Sequence, residues 1–231
     1  MSVQRLILSN SRRVRTVINN CITHKKKGTR LMAVTFLNKD AYGGRVYPFH
    51  VEPVKRDVMG YLLSGVEDGV VVTQGTPILA NDDNKTAVIC KHAKVTKKVS
   101  TTKFVVDYVG YLAVGDKVFC SGAASPVLSE ISAINYDTKE ITLKAANSQL
   151  DAGKVMVEGV MQETTVVAKN IPNRIVARSQ KMTAIDKSVS ATHQAIVISN
   201  VVDYPDEWLN KTAFPGSTLL AGCPLILFMK Q

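Results

Sequence analysis

The chain has 231 residues, 45% of them hydrophobic, and a formal net charge of +10 from 29 basic and 19 acidic side chains. This length and hydrophobic content predict a globular protein with a sizeable core, most simply one domain with an extension. Scattered glycines and prolines exclude a collagen-like chain, and the lack of a long apolar run excludes a membrane-spanning helix. The N-terminal residues lack the apolar core of a secretory signal, so we expect a protein made and used without export.

The positive charge is concentrated near the N-terminus. Residues 1–60 hold 12 basic and 3 acidic side chains, a net charge of +9, whereas the remaining residues hold 17 basic and 16 acidic side chains. A nearly neutral body with a cationic arm predicts an acidic partner, which is open at this point among nucleic acid, a membrane surface and an acidic protein face. A solvated charged segment with no partner is the simpler alternative.

Residues 1–54 are predicted to form this basic N-terminal arm. Five of its apolar residues recur at helical spacing and predict a short helix between residues 11 and 24: Val14, Val17, Ile18, Cys21 and Ile22. The three lysines and the glycine at 25–28 would end the helix, and residues 31–37 predict a strand. The candidate partner-binding residues of the arm are Arg5, Arg12, Arg13, Arg15, Val17, Ile18, Lys25, Lys26, Lys27 and Arg30.

From about residue 55 the pattern changes to short apolar runs, many of them β-branched, separated by turn residues. It predicts a mainly β body over residues 55–231, a small antiparallel β-barrel or sandwich, and allows two subdomains that divide near residue 150. The runs are, in chain order, 70–72, 74–79, 86–90, 93–95, 105–106, 111–114, 118–120, 131–134, 141–143, 153–157, 166–167, 195–198 and 224–228.

Turn chemistry indicates where these strands reverse. Residues 81–84 predict a polar turn, and the segments 115–116 and 137–139 predict hairpins, because Gly tolerates a positive φ and Asp hydrogen-bonds its own backbone. Residues 172–190 are predicted to be a polar connecting segment, and residues 204–209 a surface loop or a short helical turn. The last apolar run is expected to be covered by the body or by a partner.

The residue types that usually carry catalysis or ligate metals are dispersed. The cysteines, Cys21, Cys90, Cys120 and Cys223, are far apart and form no CxxC pair, so we interpret them as buried free thiols. The histidines lie in no HExxH or Cys-His pattern, and no nucleophile or phosphate-loop motif emerges. We therefore expect no enzyme, no metal and no cofactor.

Three apolar residues near the C-terminus are candidate interface residues: Trp208, Leu225 and Phe228. Trp208 is the single tryptophan of the chain and follows Tyr204 and Pro205. Trp and Tyr are enriched at interface hot spots, which favours a protein contact. Packing of Trp208 on its own sheet is an equal alternative.

Several segments follow one another in a recognisable order: Gly75–Leu79, an Asp/Asn-rich turn, Ala93–Val95, Val114–Asp116, Ile134–Leu143 and a closing Pro224–Phe228. In this order, over about residues 60–231, the chain resembles the head fiber or head decoration (auxiliary capsid) proteins of tailed bacteriophages, particularly phages of Bacteroidetes hosts. The resemblance implies a β-rich, commonly oligomeric body attached to capsomers through an N-terminal portion. The strongly basic first sixty residues depart from a plain fiber base and bear on how the protein attaches.

The resemblance implies a structural virion protein on the capsid surface, made in the host cytoplasm. Its expected partners are the major capsid protein and further copies of itself, as a homotrimer or a dimer, with no membrane partner. The alternative is a nucleic-acid-binding module with a small β-barrel and a basic arm. Single-strand binders stack bases on aromatic rings, and there is no Phe, Tyr or Trp between Arg5 and Arg30, which argues against nucleic acid.

Overall fold

The computed structural model describes residues 48–50, 60–109, 111–214 and 217–230. Within them lie nineteen strands, one four-residue helix and one 3₁₀ turn, which confirms the predicted mainly β fold. The helix and strand predicted between residues 11 and 37 lie outside the described residues.

The strands are, in chain order, β1 (Tyr61–Ser64), β2 (Val71–Val72), β3 (Pro77–Asn81), β4 (Thr86–Ile89), β5 (His92–Lys98), β6 (Lys103–Val106), β7 (Lys117–Cys120), β8 (Ser129–Asn135), β9 (Glu140–Leu143), β10 (Val155–Gln162), β11 (Thr165–Ala168), β12 (Arg174–Val176), β13 (Gln180–Lys181), β14 (Ser188–Val189), β15 (Ala191–Thr192), β16 (Ala195–Ile198), β17 (Leu209–Phe214), β18 (Ser217–Leu220) and β19 (Cys223–Met229). The helix α1 is Ser199–Val202, and the 3₁₀ turn is Asp206–Trp208.

Seven strands form a barrel-like antiparallel sheet in the order β11-β10-β5-β6-β9-β8-β7. β7 also pairs with β10, Phe119 lying opposite Val157, so the pairing returns to β10 and nearly closes the sheet. The interior is filled by apolar side chains such as Phe104, Ile141 and Met156, all fully buried. This confirms the predicted antiparallel barrel. β10 begins after residue 150 and pairs with β5 and β7, which lie before residue 150. The predicted division of the body into two subdomains near residue 150 stays a prediction.

A six-stranded sheet has the order β14-β1-β4-β3-β12-β15, and a two-stranded sheet joins β13 to β2. β1 and β4 run parallel, and the other neighbours of the six-stranded sheet are antiparallel. Strands of these two sheets bury Tyr61, Ile78 and Val176, which pack in one apolar cluster with Met182. The burial alternates along β1 because successive side chains of a strand point to opposite faces.

A four-stranded sheet, the C-terminal sheet, has the order β16-β19-β18-β17. β16 and β19 run parallel, and the two other pairs are antiparallel. Val197 of β16 and Ile226 of β19 are fully buried and lie in the same apolar cluster as Trp208. This cluster also contains Phe119 of the barrel-like sheet, so the two sheets share a core.

Two predicted Asn/Asp-rich turns are confirmed, and they use the same hydrogen bonds. In the β3–β4 turn, Oδ1 of Asn81 accepts a hydrogen bond from the amide of Asp83 at 3.0 Å. In the β8–β9 turn, Oδ1 of Asn135 accepts one from the amide of Asp137 at 3.1 Å. The fifth residue of each turn is a lysine with a φ of 54° or 55°, which closes the reversal.

The strand predicted at residues 111–114, and with it the hairpin around residues 115–116, is wrong. Residues 111–114 form no strand, and a carboxylate oxygen of Asp116 instead accepts a hydrogen bond from the amide of Ala113 at 2.7 Å. The ring of Tyr111 is buried, and its hydroxyl lies 2.9 Å from Oγ1 of Thr76. The apolar run therefore anchors a loop to the neighbouring sheet and makes no ladder of its own.

The polar connecting segment predicted at residues 172–190 is also wrong, because it contains β12, β13 and β14. These strands are two or three residues long, too short for periodicity to show. Each contains or adjoins a buried apolar residue: Ile175 lies in β12, Met182 follows β13 and Val189 lies in β14. Tertiary packing, which the local sequence does not reveal, selects the extended conformation here.

The described cysteines, Cys90, Cys120 and Cys223, are buried free thiols, as predicted. Burial raises the pKa values of the Cys90 and Cys120 thiols, which favours the neutral form. Cys21 lies outside the described residues.

Candidate functional site

Residues 48–50 lie against the edge of the C-terminal sheet. Phe49 forms an antiparallel bridge with Val197 of β16, and the amide of His50 donates a hydrogen bond to the carbonyl of Ile196 at 2.8 Å. The Phe49 side chain is buried in the core shared with the barrel-like sheet. Residues 48–50, the part of the predicted arm (residues 1–54) that the structure describes, are thus joined to the body at this edge.

A cluster of aromatic rings supports the C-terminal sheet from within. Tyr204 lies edge to face with Trp208 and with Phe228, at centroid distances of 5.8 and 5.4 Å. The Tyr204 hydroxyl donates a hydrogen bond to the carbonyl of Gly75 at 2.6 Å. Trp208 is 1% exposed and Phe228 is 6% exposed. Of the two alternatives for Trp208, the structure shows packing within its own body. Of the two alternatives for residues 204–209, it shows the short helical turn, a 3₁₀ turn in which Trp208 is the buried residue.

The face of β19 that points away from the shared core carries apolar side chains and is accessible to solvent. Leu225, Leu227 and Met229 alternate with the buried Ile226 and Phe228, and Leu225 is 57% exposed. Because alternate residues of a strand share a face, the first three residues form one outward-pointing row, here named the outer apolar row. Of the three predicted interface residues, Leu225 is the one on the surface.

A groove of about 1030 Å³ adjoins the outer apolar row and is lined by Leu227 and Met229 of it. Three of its charged lining residues are held in ion pairs: Lys211 lies 2.7 Å from Asp206, and Asp203 lies 2.9 Å from Lys94. The groove therefore combines apolar side chains with paired charges, and protein–protein interfaces likewise combine an apolar core with a polar rim.

A second cavity, the tyrosine cleft, has a volume of about 560 Å³. Seven of its lining residues carry aromatic rings or charges: Tyr108, Tyr111, Tyr136, Glu67, Lys91, Glu158 and Lys169. The rings of Tyr108 and Tyr111 meet edge to face with centroids 4.8 Å apart. The Tyr111 hydroxyl accepts a hydrogen bond from the amide of Thr73 at 3.0 Å, which fixes this ring against the body.

The charged residues of the tyrosine cleft are brought together by strand pairing. The amide of Glu158 donates to the carbonyl of Lys91, and the amide of Lys169 donates to the carbonyl of Glu158, both at 3.0 Å. Lys169 Nζ lies 2.7 Å from a carboxylate oxygen of Glu158, whose side chain is 5% exposed, and Lys91 Nζ lies 2.7 Å from Asp116. The hydrogen bond to Glu158 raises the pKa of Lys169, which favours the charged form of this lysine.

The structure brings together residues that the sequence did not single out. The predicted partner-binding residues of the arm all lie outside the described residues: Arg5, Arg12, Arg13, Arg15, Val17, Ile18, Lys25, Lys26, Lys27 and Arg30. None of the seven aromatic and charged residues of the tyrosine cleft was predicted as a site residue. The sequence held only a weak indication of this cleft, which is that three of the seven tyrosines of the chain fall within residues 108–136.

The described residues contain no group of three or more His, Cys, Asp or Glu side chains that is arranged to hold a metal ion. In the same part of the chain, no helix is both long and apolar enough to cross a membrane.

Comparison of the chain with protein-family models, with curated proteins and with solved structures found no match.

Proposed function

We propose that the protein is a structural virion protein, a head fiber or auxiliary capsid protein that decorates the exterior of a tailed-phage capsid. The observation that carries the proposal is that residues 48–50, which follow the basic residues in the chain, pair with the edge of the C-terminal sheet, the sheet that also presents the outer apolar row. The end of the predicted arm and an apolar association surface thus belong to one sheet.

The arm supplies the attachment. Residues 1–60, which include the arm, have a net charge of +9 and contrast with a nearly neutral remainder, and an acidic capsid face would attract them over a Debye length of about 10 Å. Val17 and Ile18 lie among these charges and would add apolar burial that salt does not screen. Attachment would therefore combine charge pairing with a hydrophobic contact.

The body supplies the decoration. Its strands pair mostly in antiparallel sheets, and the outer apolar row leaves Leu225 exposed beside a groove with paired charges. An exposed apolar row on a sheet favours association, and identical subunits most often associate about a symmetry axis. A homotrimer is the first expectation and a dimer the second.

The test is to image purified virions of the phage that encodes the chain by cryo-electron microscopy. We expect density for the β body on the capsid exterior, with its C-terminal sheet facing the capsomer or a neighbouring copy. Loss of this density from virions that carry a deletion of the gene would support the proposal. Virions in which the chain is absent by mass spectrometry would overturn it.

A nucleic-acid-binding module is the second candidate, and the charge of the arm favours it. Neutralisation of phosphates releases counterions, so a phosphate binder loses affinity steeply and linearly with the logarithm of salt concentration. Binding of the full-length chain to duplex DNA at physiological salt, more tightly than to assembled capsids, would select this candidate over decoration.

A further inference from the structure

We propose that the tyrosine cleft is a binding site for a short neutral saccharide. This proposal rests on the lining of the cleft and does not depend on capsid decoration. The volume of about 560 Å³ lies within the range of about 300–1,000 Å³ that small-molecule sites occupy.

The aromatic lining fits the apolar faces of sugar rings. A pyranose carries C–H bonds on its faces, and these bonds pack on the electron-rich face of an aromatic ring. Tyr108 and Tyr111 hold each other in place edge to face, and the Tyr111 hydroxyl is engaged by Thr73 and Thr76. The rings are therefore fixed before a ligand arrives, which lowers the entropy cost of binding.

Tyr136 adds a third ring at the open side of the cleft. It is 61% exposed, an unusual position for a large aromatic side chain, and it lies in the β8–β9 turn. Oδ1 of Asn135 accepts hydrogen bonds from the amides of Asp137 and Thr138, both at 3.1 Å, which fixes the backbone of this turn. A rigid turn thus presents an aromatic ring to whatever occupies the cleft.

The polar lining fits hydroxyl groups. A carboxylate has about four acceptor sites and an ammonium has three donors, so a pair such as Glu158 and Lys169 retains capacity after binding each other. Neighbouring hydroxyls of a sugar both donate and accept, and they can bridge such a donor and acceptor side by side. Lys91 directly precedes β5, its backbone carbonyl accepts the hydrogen bond of the Glu158 amide, and it offers a second ammonium group.

The net charge of the residues that line the cleft favours a neutral ligand. The charged residues that line the cleft are two lysines, Lys91 and Lys169, and two glutamates, Glu67 and Glu158, so they sum to zero. An anion such as a phosphate would lie beside the carboxylate of Glu158, whose side chain is 5% exposed, and the two negative charges would repel each other. A neutral polyhydroxylated ligand keeps both ion pairs intact.

The test uses the full-length chain and saturation-transfer-difference NMR. The probes are the methyl glycosides of glucose, galactose, mannose and N-acetylglucosamine, with cellotriose, maltotriose and chitotriose, at millimolar concentration. We expect saturable binding of at least one of them, with the strongest transfer at the ring C–H protons. Adenosine monophosphate and inorganic phosphate are the anionic probes.

Two variants connect the binding to the cleft. Tyr136→Ala removes an exposed ring, and Glu158→Gln keeps the shape of the side chain but removes its charge; each is expected to weaken saccharide binding about tenfold. Their controls are Ile185→Ala, at a side chain that is 98% exposed, and Glu130→Gln, which removes the surface ion pair with Lys144. The controls are expected to bind like the unmodified chain.

Three outcomes would overturn the proposal. One is that none of the saccharide probes binds saturably; another is that binding is unchanged in both cleft variants while circular dichroism shows that they are folded. The third is that adenosine monophosphate or phosphate binds in a manner sensitive to Tyr136→Ala while the saccharides do not bind, which would assign the cleft to an anionic ligand.

Discussion

The rings of His92 and Trp208 meet edge to face with their centroids 5.1 Å apart and their planes 75° apart. His92 begins β5 of the barrel-like sheet, and Trp208 ends the 3₁₀ turn before β17 of the C-terminal sheet. Nε2 of His92 donates a hydrogen bond to the carbonyl of Val202 at 3.2 Å. This pair therefore joins two sheets whose residues are more than a hundred positions apart in the chain.

We expect Trp208→Ala to destabilise the protein by about 3–5 kcal/mol, because it removes the largest fully buried side chain and leaves a cavity in the shared core. Urea unfolding followed by far-ultraviolet circular dichroism measures the change, since the variant has no tryptophan fluorescence. Ile185→Ala is the control, with an expected change within about 0.5 kcal/mol. A loss below about 1 kcal/mol for Trp208→Ala would show that the two sheets do not depend on this contact.

The sequence predicted those elements whose signal is local. Turn residues such as Asn81 and Asn135 act on the amides two positions ahead, so their effect is visible in a five-residue window. Most strands with four or more residues were predicted from β-branched or apolar runs. The sequence alone did not decide whether Trp208 makes a protein contact or packs within its own body, because its partner His92 lies far away in the sequence.

The tyrosine cleft shows the limit of prediction from the sequence. Glu158 and Lys91 become neighbours only because β10 pairs with β5 in one particular register. Tyr136 reaches the same cleft on a turn of a different hairpin. A shift of one residue would turn every side chain of a strand to its other face, so a cavity lining depends on registers that composition does not specify.

Asp82 is expected to make stability depend on pH in the acidic range. The hydrogen bond from the Tyr61 hydroxyl, with a smaller contribution from Arg174, lowers the pKa of Asp82 below its ordinary value of 3.8. A lowered pKa in the folded state adds stability above the unfolded pKa, and this stability is lost as the pH falls through the folded pKa. Because the carboxylate is about half exposed, the contribution is small.

The measurement compares the thermal midpoints of the unmodified chain and Asp82→Asn between pH 7 and pH 2. We expect the unmodified chain to be the more stable one at neutral pH and the difference to shrink below about pH 4. Asp83→Asn, in the same turn, is the control for substitution of a turn carboxylate. A difference that stays constant down to pH 2 would contradict the assignment of the effect to this carboxylate.

The arm is expected to bind capsids in a manner that salt weakens but does not abolish. Exposed ion pairs are screened at high ionic strength, whereas the burial of Val17 and Ile18 is not. Co-sedimentation of the full-length chain with assembled capsids, from low salt to about 1 M, measures the dependence.

Two sets of variants separate the two contributions of the arm. Val17→Asp should abolish capsid binding at all salt concentrations, because it places a charge in the apolar contact. Replacing the basic residues by glutamine should weaken binding at low salt and remove most of its salt dependence: Arg12, Arg13, Arg15, Lys25, Lys26 and Lys27. Binding that persists in Val17→Asp but vanishes in the glutamine variant, with duplex DNA as a competitor, would identify the arm as a phosphate binder.

The body is expected to associate with itself through the outer apolar row. Leu225 is 57% exposed on a strand whose alternate residues are apolar, and symmetric association would remove this surface from water at about 25 cal/mol per Å² buried. Sedimentation velocity at micromolar concentration should show a homotrimer or a dimer, and Leu225→Asp should shift it to monomer. Val99→Asp, at a residue that is 50% exposed between β5 and β6, is the control and should keep the assembly. A folded, soluble monomer of residues 60–231 at the same concentration, with no change on Leu225→Asp, would exclude self-association through this face.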